Sequence, residues 1–74
     1  MNIDNEDPLA VVWAVYRKKK NGRVFRLVTV CLRRETAIEQ ANALLSQDSS
    51  FDYSVRSSRS AASMPDTYKE AART

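Results

Sequence analysis

The sequence predicts a small α+β domain in which a three-stranded antiparallel sheet packs against one helix. Three observations predict it. Residues 9–16 form an apolar, valine-rich run, and the pair Asn21-Gly22 separates it from a second run at residues 23–32. Residues 34–47 then repeat apolar side chains every three or four positions, which is typical of a helix with one buried face.

Length and composition limit the classes of protein and site that are open to this chain. Its 74 residues make one domain, and its single cysteine, Cys31, allows no internal disulfide. The chain has no histidine, which excludes a Cys/His zinc site, and we expect no metal and no cofactor. The lack of disulfides suits a reducing compartment, so we expect a cytoplasmic location, in the host cytoplasm if a phage encodes the chain.

The first eight residues are predicted to be a flexible acidic arm. Asp4, Glu6 and Asp7 precede the first apolar run, whereas a secretory signal begins with positive charge. No run approaches the roughly 18 apolar residues that a membrane-spanning helix needs, so we expect no membrane contact. Residues 9–16 are apolar at consecutive positions, which predicts a strand covered on both faces.

The Asn21-Gly22 pair predicts a tight hairpin turn, because such turns need residues that tolerate positive φ. Two registers are open. A two-residue loop pairs Trp13 with Val30, and a three-residue loop with a glycine bulge pairs it with Thr29. Because a one-residue slip moves every side chain to the opposite face, the sequence leaves the faces of the second strand undecided.

The helix and the third strand complete a ββαβ domain at residues 9–57. Residues 51–56 alternate apolar and polar side chains, as a half-buried strand does. A right-handed crossover through the helix lays this strand beside the first, giving the order 2-1-3 with the most apolar strand in the centre. Residues 58–74 are predicted to be a flexible or partly helical tail, with a short helix from Pro65 as an option.

The first strand has a second apolar face, which one helix cannot cover. Its members are the even positions Ala10, Val12, Ala14 and Tyr16. An uncovered patch of this size tends to mark an interface in a soluble protein. The sequence allows three ways to cover this face: by the C-terminal segment with Met64 and Tyr68, by a second copy of the chain, or by a different protein. We therefore expect this face to form a homodimer or to pack against the tail.

The hairpin end is strongly basic and is the predicted site of partner binding. A two-residue loop would set Arg17 opposite Arg26, and like charges directly across strands are destabilising. An anionic partner would relieve that repulsion, either a nucleic acid or an acidic protein surface. The alternative is that these charges only keep the hairpin end solvated. The candidate residues are Tyr16, Arg17, Lys18, Lys19, Lys20, Arg23, Phe25 and Arg26.

No catalytic constellation is visible, so we expect the chain not to be an enzyme. There is no histidine to act as a base, and the only glycine, Gly22, excludes a glycine-rich phosphate loop. Cys31 lies within an apolar strand, where a thiol behaves as a small hydrophobe.

The stretch from residue 11 to residue 55, and most closely the helical segment 35–41 (ETAIEQA), resembles small accessory proteins of phages and prophages in its ββαβ shape. The resemblance implies a protein that binds and blocks a larger assembly, and anti-CRISPR inhibitors are one such class. The sequence thus predicts a non-catalytic protein-binding module that inhibits a host protein or nucleoprotein complex. The alternative is a nucleic-acid-binding module that uses the basic hairpin tip.

Overall fold

The computed structural model describes residues 2–5 and 8–70. It confirms a small α+β domain with one helix on a largely antiparallel sheet. The elements that correspond to the predicted ββαβ order are β2 (Val12–Lys19), β3 (Val24–Cys31), α1 (Arg34–Gln47) and β4 (Phe51–Ser58). β2 lies between β3 and β4 and is antiparallel to both, so these three strands have the predicted order 2-1-3.

The sheet nevertheless has more strands than the three predicted, because segments at both ends of the chain add to its edges. β5 (Thr67–Lys69) pairs antiparallel with β3, and β1 (Asn2–Asn5) pairs parallel with β4, giving the order β1-β4-β2-β3-β5. An edge strand presents unpaired backbone N–H and C=O groups, and a neighbouring extended segment satisfies them. Part of the predicted acidic arm is thus strand β1, while residues 1, 6 and 7 lie outside the described residues.

The prediction of an optional C-terminal helix is also wrong. A single 3₁₀ turn at Ala61–Ser63 follows β4, and the chain then extends into β5. The Leu27 N–H donates to the Asp66 carbonyl at 2.8 Å, and the Glu70 N–H donates to the Arg23 carbonyl at 2.7 Å. An isolated helix this short is marginal in water, whereas the edge of β3 supplies hydrogen bonds at once. The last predicted helical residues, 71–74, lie outside the described part of the chain.

The helix covers one face of the sheet through its alanines. Ala37 and Ala41 are fully buried against Val15, Val55 and neighbouring side chains of β3 and β4. Their small size brings the helix axis close to the strands. Trp13, Leu44, Leu45 and Phe51 pack around the margin of this cluster. We call this face the helix face.

The C-terminal segment covers the opposite face, which we call the tail face. Ala14, Tyr16 and Phe25 form its buried centre, and Met64 and Tyr68 pack on them together with Leu27. Of the three covers open at the sequence level, the chain's own tail therefore lies on Ala14 and Tyr16. The other two predicted members of this face differ in exposure: Val12 is buried, and Ala10, ahead of β2, is half-buried.

The hairpin register combines the predicted two-residue pairing with a bulge. Next to the turn, Arg17 pairs with Arg26, as the two-residue loop requires. The register then shifts between Val15 and Tyr16, so that Trp13 pairs with Cys31 rather than with either predicted partner. The bulge places one extra residue in β3, and it sets Cys31 opposite Trp13 on the helix face while Leu27 stays opposite Tyr16 on the tail face.

The turn itself has a different conformation from the predicted one. The Gly22 N–H donates to the Lys19 carbonyl at 2.9 Å. This bond closes a turn whose two central residues are Lys20 and Asn21, one position earlier than the predicted pair Asn21-Gly22. No residue in the described ranges has a positive φ. The Asn-Gly pair thus correctly predicted a hairpin, but the prediction that its residues have positive φ is wrong.

Candidate functional site

Consecutive residues at the end of β2 point to opposite faces of the sheet, as in any strand. Arg17 and Lys19 lie on the helix face, where β4 pairs them with Tyr53 and Phe51. Lys18 lies on the tail face and pairs with Asp52 of β4. The basic run of the hairpin is thereby divided into two groups of cations with different surroundings.

The lysines on the tail face are neutralised by carboxylates. Lys18 is only 6% exposed, and its Nζ lies 2.9 Å from Asp52 Oδ2 and 3.6 Å from Glu70 Oε2. Lys20 Nζ lies 3.1 Å from the other oxygen, Asp52 Oδ1. The hydrogen bond from Lys18 lowers the pKa of Asp52 and raises the pKa of Lys18, against the opposing effect of burial on the lysine. These ion pairs link the end of β2 to β4 and to Glu70, which follows β5.

The two aromatic residues predicted to contact a partner, Tyr16 and Phe25, are core residues. Tyr68 stacks on Phe25 with ring centroids 4.9 Å apart and meets Tyr16 edge to face at 4.7 Å. The Tyr16 hydroxyl donates to the Pro65 carbonyl at 2.7 Å, and burial raises its pKa. Tyr16, Phe25 and Lys18 are all buried, in contrast to the other five candidate residues, which are exposed.

The remaining cations surround a pocket of about 490 Å³ at the hairpin end of the helix face. Its lining contains no carboxylate, and Arg17, Lys19, Arg23 and Arg26 are all exposed. Within residues 2–5 and 8–70, none of these four side chains has an ion pair. The full lining is Arg17, Lys18, Lys19, Gly22, Arg23, Val24, Arg26 and Phe51. We call this site the basic pocket.

Two features describe how the charges of the basic pocket are arranged. The Arg17 guanidinium carbon lies 4.5 Å from the centroid of the Phe51 ring, a cation–π contact. Arg17 is also directly opposite Arg26 across the β2–β3 ladder, so the predicted like-charge pair is present. Among the described residues, no carboxylate lines the pocket beside this positive charge.

Asp48, beyond the end of α1, is the carboxylate whose charge acts on Arg17. The Ser50 hydroxyl and the Ser50 N–H both donate to its Oδ1, the latter at 3.0 Å, and these bonds are the main reason why the pKa of Asp48 is lowered. The Arg17 charge adds a smaller effect in the same direction. Asp48 is held by its own turn and is not among the residues that line the pocket.

Phe51 is the site residue that sequence reasoning missed. Its alternating surroundings predicted a half-buried strand residue, and the basic residue of that segment, Arg56, lies at its far end. The available signal was topological, since an antiparallel β4 beside β2 brings the start of β4 to the hairpin end. The structure pairs Phe51 with Lys19 in this way.

The chemistry open to this site is the binding of anions. Across the described residues there is no group of three or more His, Cys, Asp or Glu side chains placed to hold a metal ion. Cys31 is buried, and burial raises the pKa of its thiol, which disfavours the nucleophilic thiolate. In the same described ranges, no helix is both long enough and apolar enough to cross a bilayer.

Scans of family descriptions, of curated proteins and of solved structures return no match to this chain. The resemblance to phage accessory proteins therefore stays a prediction.

Proposed function

We propose that this protein is a non-catalytic nucleic-acid-binding module that holds phosphates in the basic pocket. The observation that carries the proposal is the segregation of charge at the hairpin end. Lys18 and Lys20 are paired with Asp52, whereas Arg17, Lys19, Arg23 and Arg26 are left exposed around one pocket that has no acidic lining.

The like-charge pair Arg17–Arg26 gives the energetic reason for an anionic ligand. Directly opposed like charges destabilise an antiparallel pair by some tenths of a kcal/mol. A phosphate between the two guanidinium groups converts this repulsion into two charge-assisted hydrogen bonds, which are about twice as strong as neutral ones. The fold thus retains a small cost that binding of a phosphate would reverse.

The variant Arg26→Glu separates binding from folding. It turns the like-charge pair into an opposite-charge pair with Arg17, so we expect a fold more stable by about 0.2–1 kcal/mol. Its affinity for a fluorescein-labelled oligonucleotide, measured by anisotropy at low salt, should fall at least about tenfold. Loss of affinity in a stabilised protein cannot be attributed to unfolding.

The matched control is Arg33→Glu, the same charge change on an exposed arginine just beyond the opposite end of β3. We expect it to change affinity much less than Arg26→Glu. For wild type, affinity should fall steeply with salt, with a slope near −3 if four phosphates are contacted at about −0.7 each on a single strand. Absence of binding at low salt, or equal losses in the two variants, contradicts the proposal.

A second candidate function, the predicted protein-binding module, is favoured by the part of the β3 edge that pairs with no described strand. β5 pairs with β3 at Val24–Arg26, Asp66 accepts from the Leu27 N–H, and Val28, Val30 and Leu32 beyond them are exposed. Arg26 and Arg33 stand on either side of this uncharged segment. An extended segment of another protein with an apolar centre and acidic ends would complement it by strand addition.

A second copy of the chain is the other occupant considered for this edge, as the predicted homodimer would require. The test is amide hydrogen exchange with a synthetic peptide of alternating valine and threonine with glutamates at both ends. Slower exchange at residues 28–32 supports this candidate, and slowing that depends only on protein concentration would indicate self-pairing instead. An inhibitor of a host assembly, as the resemblance implies, would use this edge.

A further inference from the structure

We infer that the basic pocket binds single-stranded nucleic acid by stacking an unpaired base on the Arg17–Phe51 pair. This inference rests on the proposed function and specifies its ligand. It requires two things of the pocket: a planar surface that a base can reach, and cations placed around it for the phosphates on either side.

The planar surface is the guanidinium group of Arg17, held over the Phe51 ring. The guanidinium of Arg17 lies over the Phe51 ring at 4.5 Å, and both side chains line the pocket. A guanidinium group is flat and delocalised and is more weakly hydrated than an ammonium, so it stacks on aromatic faces on either side. A base on the outer side of Arg17 would complete a stack of base, guanidinium and phenyl ring.

The register of the sheet keeps this pair in place. β2 and β4 pair Lys19 directly with Phe51, and Arg17 is two residues further along the same face. Phe51 is half-buried and packs against the helix-face cluster. This packing already restricts the ring, so ordering it on binding costs little entropy.

The surrounding cations suit a flexible strand. Lys19 lies on β2 beside Phe51, Arg23 follows the turn, and Arg26 lies across from Arg17 on β3. The pocket of about 490 Å³ is within the usual range for small-ligand sites. Bases within a duplex are already stacked on their neighbours, so only an unpaired base can enter, and stacking of this kind tolerates any base.

The first experiment compares three probes of equal length by fluorescence anisotropy at low salt: oligothymidylate, an abasic single strand, and the duplex of oligothymidylate with oligoadenylate. The abasic strand carries the phosphates without the bases. We expect wild type to bind oligothymidylate roughly tenfold more tightly than the abasic strand, as one stacked base implies. The duplex should bind more weakly than oligothymidylate.

The second experiment changes the stack without changing charge. Arg17→Lys keeps the cation but removes the planar group, so the preference for oligothymidylate over the abasic strand should disappear while the salt slope is kept. Arg26→Lys, which alters a phosphate contact, should weaken both strands alike. Phe51→Leu should also remove the preference, and Phe51→Tyr should keep it. Thermal unfolding of each variant reports whether its fold is intact.

The outcomes distinguish this inference from the proposed function. Equal binding of oligothymidylate and the abasic strand by wild type would overturn base stacking and leave phosphate binding in place. A preference that survives Arg17→Lys and Phe51→Leu would place the stacked base elsewhere and overturn the assignment. Failure of all three probes to bind would overturn both.

Discussion

The two faces of the sheet at the hairpin end differ in how far their covers extend. On the tail face, β5 pairs with β3 at Val24–Arg26, beside the turn, and brings Glu70 to Lys18. On the helix face, α1 packs over the middle of the sheet through Ala37 and Ala41, and the basic pocket lies uncovered at the turn end. The comparison teaches that nearby carboxylates decide the role of each cation. Lys18 and Lys20 are paired with Asp52, whereas the cations around the basic pocket stay available to a ligand.

The largest effect we expect comes from removing the cover of the tail face. Tyr68→Ala deletes the ring that stacks on Phe25 and meets Tyr16 edge to face. Replacing a core aromatic by alanine costs about 3–5 kcal/mol, and because Tyr68 is half-buried we expect about 2–3 kcal/mol, measured by urea unfolding. A cost below about 0.5 kcal/mol would mean that the tail does not cover this face in solution.

The next effect tests the neutralised lysine. Asp52→Asn leaves Lys18, only 6% exposed, without its closest carboxylate. Breaking a fully buried pair costs about 3–5 kcal/mol, but Asp52 is 42% exposed, so we expect about 1–2 kcal/mol in urea unfolding at neutral pH. Lys20→Ala removes the exposed lysine from the same carboxylate and is the control, with an expected cost below about 0.5 kcal/mol. Equal costs would show that burial of Lys18 does not matter.

The same pair predicts a pH dependence of stability. The pKa of Asp52 is lowered from its ordinary 3.8, so its contribution is complete above that value and is lost as pH falls through the lowered pKa. Lys18 has a raised pKa, so its contribution is complete below its ordinary 10.5 and is lost only as pH rises beyond it. Urea unfolding between pH 6 and pH 2 should show a fall that is smaller in Asp52→Asn; an unchanged fall would contradict the assignment to Asp52.

The smallest effect concerns the turn that joins β2 to β3. Since no described residue has a positive φ, Gly22→Ala meets no backbone strain, and its Cβ would lie 3.4 Å from the Lys19 carbonyl oxygen. We expect a change between neutral and about 1 kcal/mol of stabilisation, since alanine reduces the entropy of the unfolded chain. A destabilisation above about 1 kcal/mol by thermal unfolding would indicate the positive-φ turn that the sequence favoured.

The sequence predicted those elements that depend on local patterns. The apolar run of β2, the helical period of α1 and the alternation of β4 each identify their own element, and the crossover rule gives the central order 2-1-3. β1 and β5 were missed because strands of four and three residues have almost no pattern of their own. They form only because β4 and β3 present free edges to them.

The candidate site was predicted in part for the same reason. The composition of the hairpin located the positive charge, and the two-residue register correctly predicted Arg17 opposite Arg26. Whether a given cation is free depends on carboxylates distant in the chain, since Asp52 and Glu70 lie 34 and more residues from Lys18. Side chains that meet only after folding, such as Arg17 and Phe51, leave no local signal in the sequence.

The short strand β5 has a consequence for handling this protein. Its three residues close the β3 edge beside the stacked rings of Phe25 and Tyr68. The backbone hydrogen bonds that Asp66 and Glu70 make to β3 and to Arg23 extend this pairing at both ends. Proteolytic cleavage between Met64 and Thr67 would release that strand and expose an aromatic surface together with an open strand edge. We expect such a clipped product to associate through that open edge, so the C-terminal segment protects the sheet against edge-to-edge pairing.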